Sequence, residues 1–160
     1  MRKLKLCLDT SVWNFYFADD APDKRDITKD FFASIEKGDY EIFISDVVFQ
    51  EINDADEPKR KVLFDLINKN KPTELAISEE MKELTEAYMS RRIIPDNKRE
   101  DAAHVAIATV SEIDAVITWN YKHLANLRKA ELFNAINLEM GYTKRLELVT
   151  PMEVSEHESR

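Results

Sequence analysis

The sequence predicts an α/β domain: a central, mostly parallel sheet of four to five strands flanked by helices. Strand-like runs such as Lys3–Leu8, Glu41–Ser45 and Asp114–Thr118 alternate with segments whose apolar residues recur at helical spacing, the pattern that βαβ units produce. The first run, Lys3-Leu4-Lys5-Leu6-Cys7-Leu8-Asp9, passes from alternating charged and apolar residues to unbroken apolar ones, as a strand does on reaching the interior. With 160 residues, one domain that buries roughly 70% of its unfolded surface is the natural count. We expect that domain over residues 3–151 and a polar tail over 152–160.

Composition removes several chemistries. A hydrophobic fraction of 44% beside a charged fraction of 34% describes neither a disordered nor a membrane chain. No apolar run reaches bilayer length, and Asp9 interrupts what would be a signal-peptide core, so a cytoplasmic location with no membrane partner is expected. Cys7 is the only cysteine; it excludes an internal disulfide and reads as a small buried hydrophobe. The two glycines, Gly38 and Gly141, are too far apart to build a Walker A loop or a dinucleotide fingerprint. The three histidines, His104, His123 and His157, are scattered, which argues against a thiolate or imidazole zinc site. No Gly-x-Ser-x-Gly elbow presents a serine. Carboxylates are left as the working groups. A net charge of −8 argues against gripping nucleic acid through the overall field, but it does not exclude a nuclease, because carboxylates that hold hard cations also count as acid on paper.

The elements follow in order. The first strand stops at Asp9-Thr10-Ser11, and the carboxyl end of a strand is where open α/β sheets bind ligands. The alternative is that one of these residues only caps the helical turn starting near Val12. That turn carries Trp13, Phe15, Tyr16 and Phe17, read as core packing, with base stacking the alternative. A polar break precedes a helix from about Asp23 to Lys37, with Ile27, Phe31 and Ile35 inward and Gly38 closing it. The strand Glu41–Ser45 runs into a helix at Asp46, in which Glu51 sits one turn beyond the strand end, as a second carboxylate at this edge or a solvated helix residue. A helix over Lys59–Asn70 turns Val62, Leu63, Leu66 and Ile67 inward. Lys59-Arg60-Lys61 reads as a solvated face, with an arm touching a phosphate backbone the alternative. A short strand over Thr73–Ile77 and a helix capped by Ser78, burying Met81, Leu84 and Tyr88, follow.

The helix Lys98–Ser111 is apolar with small residues nearly all round, so it lies deep. Asp101 in its first turn is anomalous: an uncompensated buried carboxylate costs several kcal/mol, whereas the helix amino end returns only about 0.3–2 kcal/mol. A cation or a network of donors is therefore expected beside it. His104, one turn on, could face Asp101, most simply as a packed histidine with one hydrogen bond. The strand Asp114–Thr118 ends in Thr118-Trp119-Asn120. After a turn over Tyr121–Asn126, a helix over Arg128–Met140 turns Leu132, Ile136 and Met140 inward, Gly141 closes it, and Leu146–Pro151 forms the last strand. In a parallel sheet Asp9, Glu51 and Asp101 then share one edge, with Thr10, Ser11, Thr118 and Asn120 beside them. Hard oxygen donors of this kind suit Mg²⁺ or Mn²⁺, which polarise phosphoryl oxygens and activate water.

Leu8-Asp9-Thr10-Ser11, Phe49-Gln50-Glu51-Ile52, Asp101-Ala102-Ala103-His104-Val105-Ala106 and Thr118-Trp119-Asn120-Tyr121-Lys122-His123-Leu124 together resemble the PIN-domain ribonucleases, the VapC-like toxin type in particular. The resemblance runs from Lys3 to about Pro151. It implies a PIN-like three-layer sandwich, an acidic pocket holding Mg²⁺ or Mn²⁺, hydrolysis of RNA phosphodiesters, a cognate antitoxin protein that covers the pocket, and a homodimer. Carried over to this chain, Asp9, Glu51 and Asp101 match the acidic ligands and Thr10 or Ser11 the hydroxyl that orients them. Where many members have a fourth acidic residue, this chain has Asn120, whose carbonyl can coordinate a hard cation but brings no charge. The readings that compete are a metal-dependent endoribonuclease, a non-catalytic module of the same fold that binds RNA or protein, and a phosphatase using Asp9 as nucleophile. The last resembles Asp-x-Asp enzymes, and residue 11 here is serine. Lys122, Arg128 and Arg91 are candidates for substrate contact.

Overall fold

In the computed structural model, which describes residues 2–155, strands and helices alternate as the periodicity requires. β1 (Leu4–Leu8) leads through α1 (Thr10–Phe15) and α2 (Pro22–Glu36) to β2 (Tyr40–Ser45). From there α3 (Asp46–Asn53) and α4 (Lys59–Asn70) lead to β3 (Thr73–Leu75). The chain returns through α5 (Glu79–Ser90), a 3₁₀ turn (Asp96–Lys98) and α6 (Arg99–Val110) to β4 (Ala115–Ile117). It ends with α7 (Leu127–Glu139), β5 (Glu147–Val149) and α8 (Pro151–Ser155). Every pairing is parallel, in the order β3-β2-β1-β4-β5. The α/β class and the parallel five-stranded sheet are as expected. β1 sits in the middle because the chain first builds outward on one side of it, then crosses back to build on the other. That reversal leaves a crevice beyond the carboxyl ends of β1 and β4.

The period of two in β1 sorts its side chains onto two layers. Leu6 and Leu8 face one core with Trp13, Phe31, Ile44, Ile52 and Leu63, drawn from α1, α2, β2, α3 and α4. Cys7 faces the other, with Tyr88, Ala106, Val116 and Phe133, drawn from α5, α6, β4 and α7. α6 is buried nearly all round, and its alanines let it lie close against the sheet. Gly38, just past α2, has φ of +83°, which a residue with a Cβ rarely adopts. At the amino edge of the sheet Asp114 accepts from the Lys5 amide at 2.7 Å and pairs with Arg2 and Lys144, each at 2.8 Å. These partners hold its carboxyl well below the usual range.

Three expectations need correcting. Val62 is 37% exposed although Leu63, Leu66 and Ile67 are buried, because three adjacent inward positions already fill the stripe that α4 turns to the core. On α7, Ile136 is buried as expected, but Leu132 and Met140 are exposed, and Ala130, Phe133, Asn134 and Asn137 are buried beside Ile136. Spacing by four picked a neighbouring stripe because two asparagines lie on the true inner face. Asn134 earns that place by holding the backbone of Leu146 from both sides, at 2.9 Å each. Finally, part of the expected tail is helical: α8 packs against α2, Val154 is buried, and its carbonyl accepts from the Tyr40 hydroxyl at 3.2 Å. Residues 156–160 of that tail lie outside the described residues.

Neighbouring positions on α4 test this inside and outside. Leu63→Ala should cost about 2–5 kcal/mol through lost burial and a cavity, and Val62→Ala about 0.5 kcal/mol or less. Urea unfolding of the two variants checks it; equal losses would contradict the burial described.

Candidate active site

The crevice at the ends of β1 and β4 is built on Asp9. Its carboxylate caps α1, accepting from the Val12 amide at 3.4 Å, so the capping reading is correct as far as it goes. It also accepts the Ser11 hydroxyl on Oδ1 and the Thr118 hydroxyl on Oδ2, both at 2.5 Å. A hydroxyl that gives its proton to a carboxylate keeps lone pairs for incoming donors. Ser11 Oγ takes the Trp119 amide at 2.9 Å, and Thr118 Oγ1 takes the Asn120 amide at 3.0 Å. One carboxylate thereby fixes the loop after β4 through two hydroxyls. Trp119 Nε1 donates to Thr28 Oγ1 of α2 at 2.9 Å, which anchors the same loop from outside. Asp9 is only 4% exposed. Burial pushes its carboxyl up, against the nearby His104 and the hydroxyl donors, and burial prevails.

Glu51 and His104 form the second part. Glu51 Oε1 accepts Thr10 Oγ1 at 2.7 Å and lies 3.0 Å from His104 Nε2. His104 is buried and its Nδ1 has no partner. It meets Glu51, not Asp101 as the one-turn spacing suggested, since α3 crosses α6 there and brings its carboxylate to the ring. Burial alone would raise Glu51, but the hydrogen bond and charge of His104 outweigh it and leave Glu51 below the ordinary carboxylate range. Burial would lower His104; the Glu51 hydrogen bond and the charges of Asp9, Glu51 and Asp101 outweigh that and raise it. The charges of all three acidic residues thus act on one imidazole.

Asp101 forms the third part, and the donor network expected beside it is present. Its Oδ2 accepts Asn120 Nδ2 at 3.1 Å and meets His123 Nδ1 at 2.9 Å. Asn120 Oδ1 in turn accepts the His123 amide at 2.9 Å. His123 is the site residue that sequence reading left as part of a turn. An asparagine three positions ahead of it is an Asx-type turn signal, but nothing local shows that the turn aims the ring at α6. A cavity of about 540 Å³ opens between these elements, lined by Glu51, Glu100, Asp101, Lys98, Lys122 and His123 among others. Asp9 is buried and is not among the lining residues. Lys122 is at the cavity as expected, whereas Arg91 is paired with Glu139 and Arg128 is outside the lining.

Among the described residues, no three His, Cys, Asp or Glu side chains are grouped to hold a metal ion. Each carboxylate takes its own donors: Asp9 two hydroxyls, Glu51 Thr10 and His104, Asp101 Asn120 and His123. The donor set still fits a hard cation in kind. Glu51 Oε2 and Asp101 Oδ1 accept no hydrogen bond among the described residues, and both residues line the same cavity.

No family model matches the chain, and no curated protein matches it in sequence. A solved structure, VapBC2 from Rickettsia felis bound to a DNA fragment from their promoter, is similar to it with a TM-score of 0.56 at 13% identity. The match covers 92% of this chain and 98% of that one. The likeness is one of fold, and it agrees with the PIN-like three-layer sandwich expected above. No helix among the described residues is long and apolar enough to cross a membrane.

A raised histidine pKa stabilises the fold below the unfolded value near 6.5, and that contribution is lost as pH rises through the folded value. Metal-free protein should therefore lose stability to urea above about pH 6.5, and His104→Gln should remove that slope. A slope that persists unchanged in the variant would contradict the charge coupling around His104.

Proposed function

We propose that this chain is a metal-dependent endoribonuclease, the toxin of a toxin–antitoxin pair. The observation that carries the reading is that Glu51 and Asp101 keep unpartnered oxygens at one cavity, with Lys98 and Lys122 at the same cavity. A VapBC2 assembly as a structural neighbour supports an antitoxin as partner.

Asp9, Glu51 and Asp101 are the residues that would hold Mg²⁺ or Mn²⁺. When bound, such an ion supplies positive charge against phosphate and lowers the pKa of water. The chain's own groups do the rest. Glu51, held below the ordinary carboxylate range, stays ionised at neutral pH and suits a ligand better than a general base. Asn120 orients Asp101 through its amide and gives its carbonyl to the His123 amide, so it serves as a positioning residue that adds no charge. His123 meets the same Asp101 oxygen that Asn120 holds. Lys98 and Lys122 offer ammonium groups to the phosphates on either side of the bond to be cut.

A second reading, a non-catalytic module of this fold, draws on the separate satisfaction of the three carboxylates described above. Calorimetric titration with Mg²⁺ separates the two, since a site that has lost its function shows no saturable binding at millimolar levels. For the enzyme, Asp101→Asn should abolish manganese-dependent cleavage of single-stranded RNA and leave the metal-free protein as stable or more so, because a repelling charge is removed. His123→Ala should lower cleavage about 10- to 100-fold, as loss of a ligand's supporting group does. Undiminished cleavage in Asp101→Asn would overturn the assignment.

A further inference from the structure

Next to the acidic cavity stands an aromatic group that the proposed reaction does not use. Lys24 Nζ lies 5.4 Å, 5.6 Å and 5.3 Å from the ring centroids of Phe15, Trp119 and Tyr121. Trp119 is buried, but Tyr121 is 47% exposed and meets Trp119 edge-on at 6.3 Å. Tyr121 sits between Asn120 and Lys122, both of which line the acidic cavity. Trp119 and Lys24 pack against its ring. A second cavity, of about 640 Å³, has Phe15 and Lys24 of this group in its lining, with Phe17 and Lys59.

The cations point to the occupant. Lys24, Lys59, Lys98 and Lys122, which line the two cavities, form no ion pair among the described residues. In a chain of net charge −8, unpaired ammonium groups gathered on either side of an exposed aromatic ring match the alternation of phosphate and base in a nucleic-acid strand. A base inside a duplex cannot reach such a ring, whereas an unpaired base can.

We propose, resting on the nuclease reading above, that Tyr121 is a stacking platform for an unpaired base beside the scissile phosphate, with Lys122 and Lys24 taking the phosphates that flank it. Tyr121 positions the strand; it takes no part in bond cleavage.

The test uses the full chain in EDTA, titrated with a short oligouridylate carrying one 2-aminopurine, and then manganese-dependent cleavage of the same strand. The expected results are quenching of 2-aminopurine on binding, about tenfold weaker binding and a raised KM with little change in kcat for Tyr121→Ala, and recovery of both in Tyr121→Trp. A fully paired hairpin should bind less well than the open strand. Wild-type cleavage with unchanged affinity and KM in Tyr121→Ala overturns the platform alone, leaves the nuclease reading standing and gives this face to a protein partner. Wild-type protein that neither binds nor cleaves the strand overturns the nuclease reading, and the platform with it.

Discussion

The structure depends on the carboxylate of Asp9 being satisfied while buried. A lone charge at 4% exposure would cost several kcal/mol. Here two hydroxyls and a helix amide approach it. The same two hydroxyls accept the amides of Trp119 and Asn120. The group that would otherwise destabilise the strand end thus joins β1 to the loop after β4, at the point where the sheet reverses its direction of growth. Everything on that loop, Asn120, Tyr121, Lys122 and His123 included, takes its place from this contact.

Charge is then arranged outward from it. His104 bonds Glu51 and is raised by the charges of Asp9, Glu51 and Asp101, while Glu51 is lowered by His104. Asp101 takes its partners from the loop that Asp9 holds. Carboxylates that would repel one another are each given separate donors, which leaves Glu51 Oε2 and Asp101 Oδ1 to the cavity. At the amino edge of the sheet, by contrast, Asp114 is closed by Arg2 and Lys144. The two ends of the strands differ in this respect: charges are paired where the sheet only needs holding together and left partly open where the candidate chemistry lies.

Much of this was legible in the residues. Apolar runs broken by Asp9, Ser45 and Thr118 marked the strands and the edge they share, because a carboxylate or hydroxyl at a strand end has only a few things to do. Asp101 was conspicuous because a deep helix needs a reason to carry a charge. The parts that stayed hidden depend on how elements cross. Nothing local to α6 shows that His104 meets Glu51, which α3 brings from another part of the chain. His123 reaches Asp101 only because the Asx turn folds back over α6. On α7 an inner face containing Asn134 and Asn137 defeated the apolar count, since those side chains are buried for their hydrogen bonds.

The central claim is that a divalent ion belongs at the cavity where Glu51 and Asp101 keep open oxygens. A crystal structure of the protein grown with manganese, with anomalous scattering recorded, tests it most directly. The account predicts a single strong anomalous peak within bonding distance of Asp101 and Glu51 carboxylate oxygens. A cavity with no peak, or manganese bound only at carboxylates elsewhere on the surface, would contradict it.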